Sequence, residues 1–213
     1  MKKKIFLTLP IIVWVLFPLL TGCINLEKSY PEKKYFVLDA SRDGEVVSSE
    51  TGTVLAVRRF RISPQFEGKS LIYRLSDLRY ESDFYNEFFV TPVSLITEEV
   101  QQWISGSGLF QHTVDSSSYL EPSHVLEGVI TALYGDYRES TLPKAVLEIR
   151  FFLLHQVSEG YKIIFQKQYQ REEPLNGKTP DDLVKGWNNA LKNILTEFET
   201  DVKATITKIG HRG

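Results

Sequence analysis

The residue with the most evident chemistry is Cys23, a thiol at a position where a lipid can be attached. Cys23 is the only cysteine in the chain and directly follows Leu20-Thr21-Gly22. A thiol is a nucleophile that can be alkylated, and small residues before it let a peptidase approach the backbone. The spacing predicts a bacterial lipoprotein signal, with cleavage between Gly22 and Cys23 and lipidation of Cys23.

The segment before Cys23 has the layout of a signal sequence. Lys2, Lys3 and Lys4 precede an apolar run over residues 5–20, which two prolines interrupt. A membrane-spanning helix requires about 20 apolar residues, whereas the apolar part of a signal sequence requires about 7–15. The run of 16 residues is nearer to the second pattern. The alternative is an uncleaved N-terminal anchor in which the cysteine is incidental.

The lipid on Cys23 predicts where the protein lies. Two or more acyl chains hold a protein stably on a membrane, whereas one holds it only marginally. The residue after Cys23 is Ile24, not the aspartate that usually retains lipoproteins at the inner membrane. The general sorting rule then predicts the periplasmic face of the outer membrane. Residues 23–33 are mostly polar and are expected to form the lipidated N-terminus and a tether.

Composition favours one domain that is held together by packing. Removal of residues 1–22 would leave 191 of the 213 residues, enough for one domain with a sizeable core. Three lysines would leave with that segment, which would change the formal net charge from −2 to −5. An acidic chain offers no basic surface for nucleic acid, and a lipidated cysteine leaves no thiol for a disulfide. Residues 34–213 are the predicted periplasmic domain.

Hydrophobic periodicity predicts two helices on a mixed sheet. Thr91 and Pro92 mark the start of one helix, which Gly106 ends, and Thr179 and Pro180 mark the start of a longer one. Alternating and continuous apolar runs predict the strands. These are residues 35–38, 53–62, a hairpin of 70–75 with 78–82, 109–114, and an antiparallel meander of 124–137, 144–157 and 161–170. The expected class is α/β, with α+β as the alternative, in a single domain.

Two short motifs resemble catalytic loops but lack their essential residues. Asn176-Gly177-Lys178-Thr179 resembles the end of a phosphate-binding loop, but Glu172 occupies the place of the required glycine. Gly106-Ser107-Gly108 follows a predicted helix, whereas a nucleophile elbow follows a strand. We expect the first motif to be a turn with a helix cap and the second to be a helix stop.

The histidines do not have the spacing of metal ligands. They are His112, His124, His155 and His211. The sequence therefore predicts no catalytic residue, no metal, and no cofactor other than the covalent lipid. His155 lies in an apolar strand and is expected to be a core or edge residue.

Two groups of residues are candidates for contact with a partner. Arg58, Arg59 and Arg61 lie on one predicted strand and could meet acidic groups, although an ordinary charged edge would look the same. The second group is an aromatic cluster just before the first helix, most of which we expect in the core. Phe84 and Tyr85 lie between polar residues and are the candidates for an exposed contact. The cluster comprises Tyr80, Phe84, Tyr85, Phe88 and Phe89.

These features together resemble the ABC-type transport auxiliary lipoproteins, a family that includes the paraquat-inducible lipoproteins. The matching parts are Cys23, the strand at 35–38, the segments 54–57 and 71–74 joined through Ser63-Pro64-Gln65, and the helix at 92–104. The long C-terminal helix matches as well. In place of the Trp-Ala-like pair that the family often has before its first helix, this chain has aromatic residues within 85–89.

The resemblance implies a non-catalytic periplasmic subunit of an MCE-type system that moves lipids between membranes. Its implied partners are an MCE-domain protein with its permease and ATPase, and further copies of the chain in a ring. The alternative is a stand-alone lipoprotein that binds an apolar ligand or assists envelope assembly. A deep pocket lined by Phe151, Leu153 and Phe165 would favour that alternative, whereas a filled core with an exposed aromatic patch would favour docking.

Overall fold

A mixed β-sheet of nine strands and two long helices make up the part of the chain that the structure describes. The structure is a computed structural model that describes residues 31–47, 52–139 and 141–210. The predicted cleavage and lipidation site, Gly22 and Cys23, lies outside the described residues. The helices are α1 (Pro92–Gly106) and α2 (Pro180–Gly210). The strands are β1 (Lys34–Phe36), β2 (Val54–Val57), β3 (Arg61–Ile62), β4 (Ser70–Arg74), β5 (Tyr80–Phe88), β6 (His112–Asp115), β7 (His124–Asp136), β8 (Lys144–Val157) and β9 (Gly160–Pro174).

Strand β7 is the centre of the sheet. Along one edge it pairs in parallel with β2, β3 and β4 in succession, and along the other edge it pairs antiparallel with β8. Strands β1 and β5 extend the sheet beyond β4, β6 extends it beyond β2, and β9 extends it beyond β8. The sheet confirms the mixed α/β class and the antiparallel meander of β7, β8 and β9 that the sequence predicts.

Both helices begin where the sequence predicts, but their N-termini are stabilised differently. The Thr179 hydroxyl accepts a hydrogen bond from the Asp182 amide at 3.2 Å, and the Asp182 carboxylate accepts one from the Thr179 amide at 3.2 Å. This reciprocal pair is a capping box with aspartate in the acidic position. At α1 the Thr91 hydroxyl instead meets the Ser94 hydroxyl at 2.9 Å, so Thr91 marks the helix start without capping a backbone amide.

The apolar faces of both helices join one core. Phe198 of α2 stacks on Phe151 of β8 with ring centroids 4.2 Å apart, and both are fully buried. The buried Trp187 indole donates a hydrogen bond to the Val146 carbonyl at 3.2 Å, which satisfies its one polar group. The two helices also meet through Trp103, whose indole donates to Glu199 at 2.8 Å.

The predicted ten-residue strand over residues 53–62 is wrong, because two short strands, β2 and β3, occupy it. Phe60 lies between them and is buried against Phe151, with ring centroids 5.7 Å apart. The Phe60 ring fits there because residue 128 on β7 is glycine: a Cβ at Gly128 would lie 2.4 Å from that ring. Packing of one aromatic side chain thus interrupts the strand.

Other element boundaries shift by a few residues. The hairpin of β4 with β5 is confirmed, but its second strand continues to Phe88. Strand β6 begins at His112, three residues later than predicted, and β9 continues to Pro174. The extension of β9 follows from its pairing with the long strand β8, and that of β5 from its pairing with β1 over Asn86–Phe88, neither of which local sequence patterns record.

Removal of the Phe151 side chain tests whether the core is as well filled as these contacts indicate. We expect Phe151→Ala to lower the free energy of unfolding by about 3–5 kcal/mol, because it leaves a cavity beneath Phe198. The measurement is urea unfolding followed by tryptophan fluorescence. The exposed Phe84→Ala is the matched control and should cost at most about 1 kcal/mol. Equal losses in the two variants would contradict the described core.

Candidate functional site

A bulge in β5 presents two aromatic side chains to solvent. Ser70 of β4 pairs with Glu87, and Ile72 pairs with Ser82. Between these pairs β5 has four more residues, 83–86, whose only counterpart in β4 is a single residue, so they bulge outward. Phe84 and Tyr85 lie in this bulge. Extra residues in one strand of a pair bend it and redirect its side chains. The bulge therefore explains why Phe84 and Tyr85 are both exposed although they are neighbours in the sequence.

The Asp83 carboxylate fixes the shape of this bulge. It accepts hydrogen bonds from the Tyr85 amide at 2.9 Å, the Asn86 amide at 3.0 Å and the Asn86 side chain at 2.9 Å. The Tyr73 hydroxyl of β4 donates a fourth at 2.9 Å. Burial opposes ionisation of Asp83, but these hydrogen bonds outweigh it and lower the pKa of the carboxyl. The charged carboxylate thus holds both ends of the bulge.

The exposed aromatic residues form two edge-on pairs on the part of the sheet where β1 lies beside β5. The Phe84 side chain is 69% exposed and lies edge-on to Tyr85, with ring centroids 5.1 Å apart. Tyr35 of β1 and Phe89 lie edge-on to each other at 6.2 Å, and both are also exposed. We call Tyr35, Phe84, Tyr85 and Phe89 the aromatic patch.

The expectation that most of the aromatic cluster before α1 lies in the core is wrong. Of its five members only Phe88 is buried, against Trp187 with ring centroids 5.5 Å apart. The bulge takes Phe84 and Tyr85 out of the alternating pattern, and Phe89 lies just beyond the end of the strand. Their exposure is consistent with the candidate role of Phe84 and Tyr85 as contact residues.

Lys33, the last residue of the predicted tether, lies against the aromatic patch. Its ammonium group is 4.9 Å from the Phe84 ring centroid and donates to the Glu87 carboxylate at 2.6 Å. The hydrogen bond to Glu87 raises the pKa of Lys33. A cation–π contact and an exposed ion pair are each weak, but together they hold the Lys33 side chain against Phe84.

The three arginines lie in another part of the sheet. Arg58 and Arg59 are in the connection between β2 and β3, and Arg61 is in β3. The Arg58 guanidinium donates to Glu127 of β7 at 2.6 Å, so this side chain is engaged in a surface ion pair. Arg59 and Arg61 are exposed. Strands β3 and β4 lie in succession along one edge of β7, and β5 lies beyond β4, so the arginines and the bulge belong to different parts of the sheet.

The motifs that resemble catalytic loops have structural roles. The Ser107 hydroxyl donates to the Ile104 carbonyl at 2.7 Å, which ends α1. Thr179 belongs to the capping box of α2, and a Cβ on Gly177 would lie 2.3 Å from the Asp182 carboxylate. Within the described ranges, no three histidine, cysteine, aspartate or glutamate side chains are grouped closely enough to hold a metal. No helix among the described residues combines the length and apolarity that crossing a membrane would need.

The side chains named for an apolar pocket are part of the filled core. Phe151 and Leu153 are fully buried, and Phe165 packs on Phe198 with ring centroids 5.9 Å apart. A cleft of about 570 Å³ lies beside α1, but it is open to solvent, and most of the residues that line it are polar. Its lining residues include Glu98, Gln101, Gln102 and Ser105.

The structure also brings together two histidines that the sequence pattern keeps apart. His124 of β7 and His155 of β8 are cross-strand partners, with ring centroids 4.7 Å apart. Burial, and secondly the proximity of His155, lowers the pKa of His124 to about 4. Only the register of β7 against β8 creates this pair, so spacing along the chain gives no signal for it.

Comparisons with known proteins show the fold. No family model and no curated protein matches the chain. The crystal structure of XCC0632 from Xanthomonas campestris, assigned to DUF330, is similar with a TM-score of 0.64 at 15% identity. The match covers 84% of this chain and 98% of that one. The crystal structure of an uncharacterized protein is similar with a TM-score of 0.63 at 15% identity, and the match covers 80% of this chain and 99% of that one.

Loss of the Asp83 carboxylate should release the bulge. We expect Asp83→Ala to speed hydrogen exchange at the Tyr85 and Asn86 amides and to cost about 1 kcal/mol in unfolding free energy, because a partly buried carboxylate network is lost. Exchange measured by NMR checks this. Tyr73→Phe removes only one of the four bonds and should have a smaller effect. Unchanged exchange in Asp83→Ala would show that the strand pairing alone shapes the bulge.

Proposed function

We propose that this protein is an outer-membrane lipoprotein that acts as a non-catalytic docking subunit of an MCE-type intermembrane lipid transport system. Its lipid on Cys23 holds it to the periplasmic face of the membrane. Its partners in this proposal are an MCE-domain protein with its permease and ATPase, and copies of itself in a ring. No nucleic acid, metal or cofactor other than the covalent lipid takes part.

The observation that carries the proposal is the aromatic patch on a fixed bulge. Exposure of the Phe84 and Tyr85 rings to water is unfavourable in free energy. Burial of each ring against a partner would contribute about 1.5–3 kcal/mol to the free energy of binding. Asp83 already holds their backbone in place, so less conformational entropy is lost when a partner binds. Aromatic anchors of this kind dominate the energy of many protein interfaces.

The position of the patch in the chain supports the same proposal. Ten peptide steps separate Cys23 from Lys33, which limits the tether to about 35 Å. Lys33 then contacts Phe84 directly. A partner bound at the patch would therefore be held within a few tens of ångströms of the membrane, as a docking subunit requires. The identity of the transport system comes from the family resemblance.

The filled core disfavours the alternative of a lipoprotein that stores an apolar ligand. Phe151 and Leu153 would have to line its pocket, and both are fully buried members of the hydrophobic core. The positioning role needs neither nucleophile nor general acid, and Ser107 and Thr179 are occupied in ending α1 and capping α2. Binding without catalysis is the function that these residues support best.

Site-specific photocrosslinking in native envelopes tests the docking surface. A photoreactive phenylalanine at position 84 should crosslink to an MCE-domain protein, whereas the same group at the fully exposed Tyr119 should not. Phe84→Ser combined with Tyr85→Ser should reduce recovery of the partner at least tenfold, while Tyr119→Ser leaves it unchanged. Crosslinks that contain no component of such a system would contradict the proposal.

The anchor has its own test. We expect Cys23→Ser to move the protein from the membrane fraction to the soluble periplasmic fraction, because no thiol remains to carry acyl chains. Mass spectrometry of the native protein should show an acylated N-terminal cysteine. An unmodified N-terminus, or membrane association that survives the substitution, would overturn the lipoprotein assignment.

A further inference from the structure

The paired histidines lie at the junction of three strands. His124 is the first residue of β7 and pairs with Leu55 of β2 on one side and His155 of β8 on the other. It is only 8% exposed. Strand β2 pairs with β7 at just three residue pairs, and Leu55 with His124 is the first of them. Strand β6 joins the sheet by pairing with β2. The attachment of β2 and β6 to the sheet therefore depends on a short contact that begins at His124.

Ser123 links the histidine pair to β2. Its hydroxyl lies 3.0 Å from His124 Nδ1 and 3.1 Å from the Val54 carbonyl, and it accepts a hydrogen bond from the Val54 amide at 3.0 Å. Phe110, in the connection after α1, packs on the His124 ring with centroids 5.3 Å apart. A change in the charge or position of the His124 ring would thus alter its contacts with β2 and with the segment that leads into β6.

The surroundings of the pair are unfavourable for positive charge. β2 contributes the apolar Leu55, Phe110 covers the ring of His124, and β8 contributes the second imidazole. Strand β9 places Lys162 opposite His155 in the register, which adds a cation. The Nδ1 atom of His155 is buried and has no hydrogen-bond partner among the described residues. No carboxylate is among these neighbours to balance a proton.

We propose that His124, packed against His155, is an acid-sensitive latch, which holds β2 and β6 on the sheet while the His124 imidazole is neutral and releases them when it is protonated. The rest of the sheet remains paired on release, because β8 pairs with β7 along its length, and β3 and β4 pair with β7 beyond this junction. Release would expose Leu55 and Phe110. The latch is a property of the fold and does not depend on the docking role.

The direction of the pH effect follows from linkage. The pKa of His124 in the folded protein is about 4, below the ordinary value of 6.5. The closed latch is therefore fully stable above pH 6.5, and its stability falls as the pH drops from 6.5 towards 4. Because the pKa of His124 differs between about 4 in the closed latch and 6.5 as its ordinary value, a drop from pH 7.5 to pH 5 increases the open population about thirtyfold.

Hydrogen exchange at several pH values, corrected for the intrinsic rate, tests the latch. In the wild-type protein the protection of the Leu55, Ala56 and Val114 amides should fall about thirtyfold between pH 7.5 and pH 5, while Ile149 in β8 keeps its protection. His124→Phe, which packs without titrating, should abolish the fall. His112→Gln changes an exposed histidine of β6 and should behave like the wild type.

Three results would overturn the proposal. Protection of β2 that does not change with pH would show that no latch opens, and equal loss in β2 and β8 would show global unfolding instead. The same fall in His124→Phe would assign the effect to other groups. An NMR titration of the His124 ring in the wild-type protein adds a measurement that needs no variant. It should give a pKa near 4, and a value near 6.5 would contradict the latch.

Discussion

The fold depends on strand β7 having hydrogen-bond partners along both of its edges. A buried backbone amide or carbonyl without a partner costs free energy, so a long apolar strand must be covered on both sides. Strand β8 covers one edge continuously, whereas β2, β3 and β4 share the other. Division of that edge among three short strands is what allows Phe60 to turn into the core between two of them, over Gly128.

The aromatic residues divide into a buried set and an exposed set. Phe151 of β8 and the α2 residues Trp187 and Phe198 are buried where that helix packs on the sheet, and they provide packing. At the far edge, beyond β4, the bulge in β5 turns Phe84 and Tyr85 outward, and one carboxylate keeps them there. The domain thus combines a filled interior with an apolar surface near its N-terminal end, an arrangement suited to binding another protein rather than to enclosing a small ligand.

Local patterns were sufficient for some elements and not for others. Both helix starts could be predicted because Pro92 and Pro180 act through neighbouring residues within one turn. The extent of α2 and the meander follow from periodicity in the same way. The strand at 53–62 could not be predicted correctly, because its interruption depends on the absence of a side chain at Gly128, which is distant in the sequence. The polar neighbours of Phe84 and Tyr85 identified these two residues as candidates. The bulge that exposes them could not be predicted from those neighbours.

The sequence by itself determined the α/β class and the helix starts, and it predicts lipidation at Cys23, because each depends on residues that are close along the chain. Only the tertiary structure decided which aromatic residues form the patch, which arginine is paired, and that His124 lies against His155. These outcomes depend on strand register. A shift of one residue between two strands exchanges the side chains on their faces, and the free energies that choose the register are summed over the whole sheet.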